Sequence, residues 1–151
     1  MDINKSTQLA KEISKKIGTK DYQDIILRIL NNIKKGNKFD ISSCYCCPET
    51  MIETDKTGEN KPHIRLKLNK DIKKPEHIIW EILHEYGHCL SGIPEIPSIN
   101  REIEAWDKAY LKLLKYPKLK IMEQSFFDYQ KNCLETYYFK DFCLKGFNRN
   151  D

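Results

Sequence analysis

The chain predicts an α+β fold. Three observations carry that expectation. Apolar residues recur at helical spacing in the N-terminal and C-terminal thirds, a stretch around residue 65 alternates polar and apolar at period 2, and strands and helices fall in separate runs. At 151 residues the chain is long enough for one modest core, so 1–151 is read as a single domain.

Leu9, Ile13 and Ile17 recur every fourth residue before Gly18, which predicts a first helix. Ile25, Ile26, Ile29, Leu30 and Ile33 mark one face of a second helix over 21–35, stopped by Gly36. Segments 39–47 and 49–55 read as extended, and 55–60 has turn composition. Residues 63–68 alternate along His63, Ile64, Arg65, Leu66, Lys67 and Leu68, the mark of a strand with one buried face. A short antiparallel sheet is therefore expected. Pro75 suits a helix start, and a helix to about residue 91 ends at Gly92. Its core stripe is Ile79, Ile82, Leu83, Tyr86 and Leu90. A loop with Pro94 and Pro97 leads to a helix over 100–115, stopped before Pro117, and a last helical pattern over 118–139 is rich in Phe and Tyr. Most of those aromatics are expected in the core.

Composition excludes several classes. Hydrophobic residues are 40%, charged residues 32%, and mean hydropathy is −0.65, which describes a globular chain rather than a disordered one. No apolar run approaches the roughly 20 residues of a membrane span. Met1-Asp2-Ile3-Asn4-Lys5 has no apolar stretch of an export signal, so the expected location is the cytoplasm. The net charge is +4, but the lysines are interspersed with acids and arginine occurs only at Arg28, Arg65, Arg101 and Arg149. That pattern describes a solvated surface better than a nucleic-acid face. The six cysteines, Cys44, Cys46, Cys47, Cys89, Cys133 and Cys143, are expected to be reduced thiols. Cys44, Cys46 and Cys47 are not expected to form a metal site.

His84-Glu85-Tyr86-Gly87-His88 carries the chemistry. Residues i and i+4 stand on one helix face, so both imidazoles can reach one Zn²⁺ at about 2.0–2.1 Å. Glu85, one step round, can take a proton from a metal-bound water and return it to a leaving amine. Gly87 costs about 1 kcal/mol inside a helix, a cost explained if another backbone passes close by. Four His and twelve Glu would give this H-E-x-x-H pattern by chance in about one such chain in a hundred. A catalytic zinc takes three protein ligands and leaves one vertex open. No His follows His88, so the third ligand should be a carboxylate on the next helix. Glu102 and Glu104 are available there and point to different sides.

The H-E-x-x-H helix, followed by Glu102-Ile103-Glu104-Ala105 as an E-x-x-A helix, resembles the gluzincin metallopeptidases, in particular the ImmA/IrrE-type and minimal gluzincins. The resemblance covers about 63–115, a third of the chain. It implies a small zincin-like domain whose sheet packs on the active-site helix. It implies Zn²⁺ held by His84, His88 and Glu102, with Glu104 the alternative, and Glu85 as the catalytic group. The wider clan places an Asp four residues after the ligand Glu, where this chain has Trp106. By the same resemblance, strand 63–68 would lie at the cleft edge and pair with a peptide substrate. His63, Tyr110, Tyr129 or Tyr137 would supply the oxyanion donor. The expected function is a zinc-dependent endopeptidase acting on a protein substrate such as a regulatory protein. The alternative is a catalytically silent binding module or a toxin–antitoxin component. Three side chains read as bland: His77 and Glu81 as exposed, Cys89 as buried filler.

Overall fold

The computed structural model describes residues 3–54, 60–92 and 98–148, with side chains over 5–54, 60–92 and 98–138. Helices α1 (Ile3–Ile17) and α2 (Gln23–Lys34) precede strands β1 (Asp40–Cys44), β2 (Met51–Thr54) and β3 (Pro62–Lys67). Helices α3 (His77–Ser91), α4 (Ile99–Leu113), α5 (Pro117–Lys120) and α6 (Glu123–Asn148) follow. This is the α+β architecture expected. Part of the expected turn (55–59) and of the expected loop (93–97) lies outside the described residues. Among the described residues no helix is long and apolar enough to cross a membrane.

The sheet is mixed, not antiparallel. Its order is β1-β3-β2, with β1 parallel to β3 (Ile41 opposite Ile64) and β2 antiparallel to β3 (Ile52 opposite Ile64). The last strand in sequence inserts between the first two. Period-2 alternation reports which face of a strand is buried but not which strands flank it, so β3 could be recognised as a strand without its central place being visible. Ile64 and Leu66 are completely buried, and His63, Arg65 and Lys67 take the opposite face.

Helix α3 is the centre of the molecule. Ile78, Ile79, Trp80, Ile82, Leu83, Tyr86 and Cys89 are all buried, so apolar side chains cover most of its circumference. A helix apolar nearly all round must be enclosed. The wrapping comes from Ile41 and Ile64 on the sheet, Ile29 and Ile33 on α2, Trp106, Ala109 and Leu113 on α4, and Phe126 on α6, in one continuous core. The indole of Trp80 is wholly buried, meets Phe126 edge-on at 5.4 Å and donates to Ser125 Oγ at 3.2 Å. Leu90, expected on the core stripe, is 37% exposed; in the last turn of α3 Cys89 takes the buried place instead.

Cysteine chemistry differs from expectation. Cys44 and Cys47 form a disulfide and Cys46 is a free, exposed thiol. The C-x-x-C spacing of Cys44 and Cys47 was the signal in the sequence. Cys89 is the buried thiol expected, its pKa pushed up to about 12 by desolvation.

Candidate metal centre

The approach of α4 to α3 builds the site. A Cβ on Gly87 would lie 2.1 Å from the Ala105 carbonyl oxygen and 2.9 Å from its carbon, so only glycine admits the α4 backbone here. Ala105 is itself fully buried in the contact. At the start of α4, Ser98 Oγ accepts from the Arg101 backbone N–H at 3.3 Å and caps the helix. Glu102 stands three residues before Ala105, on the same side of α4 and facing α3.

His84, His88 and Glu102 converge. Glu102 Oε2 lies 2.7 Å from His84 Nε2 and 3.1 Å from His88 Nε2, and the two rings are 4.7 Å apart, centre to centre. These three donor atoms all fall within 4.8 Å of one another. Around a tetrahedral ion with bonds of about 2.0–2.2 Å, donors stand about 3.3–3.5 Å apart, so small side-chain shifts would seat one. Two imidazole nitrogens and a carboxylate oxygen are a set that divalent transition ions accept. The cluster can hold a metal ion. Glu104 takes no part. Its side chain is 43% exposed and pairs with Arg101 at 3.3 Å.

Electrostatics follow from crowding acids and imidazoles in a nearly dry place. Burial pushes Glu85 up to about 8, reinforced by the negative charges of Glu81, Glu102 and Glu49 and opposed by His88. Burial also acts on Glu102, but hydrogen bonds from His84 and His88 overcome it and hold the carboxyl down at about 2. Desolvation lowers His84 despite its bond to Glu102. For His88 the same burial is outweighed by Glu102 and Glu85, which raise it.

Other residues fall differently from expectation. Glu81 is 8% exposed rather than solvated, and Lys70 Nζ reaches its Oε1 at 2.5 Å. Nothing in helical periodicity marked that partner, which lies in the loop before α3. His77 is half-buried, its ring 4.8 Å from that of Tyr129. A cavity of about 480 Å³ lies between this part of α3, the loop around Lys70, and Tyr129 and Cys133 on α6. Glu81, one turn before His84, forms part of its wall. Among the candidate oxyanion donors, His63 sits on the outer sheet face against Ser42 Oγ (2.8 Å), and Tyr110 donates to Glu123 (2.9 Å). Tyr129 packs 6.0 Å from Trp106, whose indole lies flat on His84. Tyr137 lines the cavity. As the centre strand, β3 has β1 on one side and β2 on the other, so it offers no free edge for a substrate.

Comparison with protein families, with characterised proteins and with solved structures finds no match to the chain.

Proposed function

We propose that the chain is a zinc-dependent peptide hydrolase of gluzincin type, with His84, His88 and Glu102 as ligands. One observation carries the reading: two imidazole nitrogens from α3 and one carboxylate oxygen from α4 meet at 2.7 and 3.1 Å, with Glu85 beside them. When bound at such a donor set, Zn²⁺ supplies a Lewis acid and lowers the pKa of a coordinated water. The role of Glu85 is proton transfer. Burial pushes its carboxyl up to about 8; a bound dication would favour the carboxylate form, which would accept a proton and later return it to the leaving amine. The surrounding apolar packing limits competing water.

The substrate is a protein or peptide, and its main chain docks on β2 rather than on β3. Among the described residues β1 and β2 are both edge strands, each with an unpaired outer edge. Glu49, two residues before β2, is close enough for its charge to act on Glu85, which supports placing that end of the strand near the centre.

The test is metal content by mass spectrometry on untagged protein, with hydrolysis of a mixed peptide pool followed in parallel. One zinc per chain is expected, lost in His84→Ala and Glu102→Ala, kept in Glu104→Ala. Glu85→Gln should retain zinc and lose at least about a hundredfold in cleavage rate. Zinc bound with no cleavage by the wild type would leave a silent metal-binding module. Zinc retained by Glu102→Ala would remove the ligand assignment.

A further inference from the structure

We propose that Trp106 is a positioning residue that fixes the imidazole plane of His84 for metal binding, an inference that rests on the metal-site reading above. The indole and the imidazole are stacked, centroids 4.2 Å apart and planes within 5°. The other ring pairs measured among the described residues are inclined by 35–87°. Those are the edge and tilted arrangements of ordinary aromatic packing. This stack is instead flat, and it falls on a donor ring.

A metal-bound imidazole usually has its free nitrogen tied to a carboxylate or carbonyl, which sets the ring's rotation. At His84 the nearby carboxylate is Glu85, with Oε1 3.6 Å from Nδ1, too far for a hydrogen bond. The torsion that turns an imidazole about its own axis is soft and broad. Something else must hold it, and the indole face does. Trp106 is 1% exposed and is itself braced edge-on by Phe126 at 5.5 Å and Tyr129 at 6.0 Å. It follows Ala105, whose backbone is pinned against Gly87.

The sequence shows how one helix face does two jobs. Glu102 and Trp106 are four apart on α4, so the carboxylate and the wall stand one above the other. One meets His84 at its nitrogen and the other meets it on its ring face. A dication drawn onto Nε2 leaves the imidazole electron-poor, which strengthens its attraction to the indole. The stack therefore preorganises the empty site and tightens when the site is filled.

Trp80 and Trp106 are the only tryptophans, so Trp80→Phe leaves one reporter. Co²⁺ added to chelator-treated Trp80→Phe protein should quench most of the Trp106 emission, saturating at one ion per chain, and Zn²⁺ should reverse it. Zinc dissociation constants, measured by competition with a chromogenic chelator, should rise tenfold or more in Trp106→Leu. They should stay within about threefold in Trp106→Phe, which keeps a flat ring. Urea midpoints of the metal-free variants separate this from a loss of folding. If Trp106→Leu does not fold, the quenching and Trp106→Phe decide. The inference is overturned if Trp106→Leu binds zinc as tightly as wild type, if Trp106→Phe loses as much as Trp106→Leu, or if Co²⁺ leaves the emission unchanged. Because no cleavage is measured, an inactive protein that still binds zinc fails the hydrolase reading alone. A wild type that binds no zinc overturns both.

Discussion

Gly87 has no side chain because the Ala105 carbonyl occupies the place where one would be. The obstacle is backbone and cannot rotate away, so Gly87→Ala must push α4 from α3. Alanine gains about 1 kcal/mol in helix propensity, but forcing atoms into a packed contact commonly costs 1–3 kcal/mol, and here the new Cβ would stand only 2.1 Å from a backbone oxygen. A net loss of about 2 kcal/mol is expected in urea unfolding, with zinc affinity falling because Glu102 moves with α4. Unchanged stability would mean that the contact is looser than it stands. This residue was legible: a glycine inside an amphipathic helix, within H-E-x-x-H, already implied a close neighbour. The carboxylate that meets the two imidazoles was legible too, as one of two candidates, and the cap at Ser98 and the approach at Ala105 bring Glu102 to them. The stacking of Trp106 on His84 was not legible, because a sequence shows which residues share a helix face but not that two rings lie parallel.

Among the elements, β1 and the segment after it held the least readable information. The disulfide joins residues three apart and closes a very small loop. Chain-entropy reasoning gives such a loop no more than about 2 kcal/mol. The segment has other ties: Asn69 donates to the Tyr45 carbonyl at 2.8 Å, Lys67 donates its backbone N–H to Thr50 Oγ1 at 3.0 Å, and the Lys67 ammonium reaches the Pro48 carbonyl at 3.0 Å. Cys44→Ser with Cys47→Ser should therefore lower stability by about 2 kcal/mol or less while leaving zinc content intact. A chain that no longer folds would show the covalent link to be essential. Reading these cysteines as reduced rested on the expected compartment, whereas pairing depends on local spacing. The central place of β3 escaped for a different reason, since strand order is settled by long-range pairing.

For the molecule as a whole, α1 to α4 were readable in order because apolar residues recur in each at helical spacing, whereas the last pattern, read over 118–139, is two helices, α5 and α6; the α+β class follows from that order. What could not be read were the contacts between distant segments: Lys70 with Glu81, Trp80 with Ser125, and the insertion of β3. Such contacts also set the response to metal. An ion that binds only the folded chain adds about 2.7 kcal/mol at a hundred times its dissociation constant. Zinc should thus raise the melting temperature of the wild type and leave Glu102→Ala unmoved, as scanning calorimetry would show. An equal rise in both would place binding elsewhere.

Two of the three donors ride on α3, the rod that every other layer encloses. Small zinc domains whose ligands sit on loops come apart when a chelator strips them. Here the apolar interior alone fixes the helix that presents the imidazoles. After dialysis against EDTA, the far-ultraviolet circular dichroism should keep its helical form, and zinc returned to the protein should be taken up again without any refolding lag.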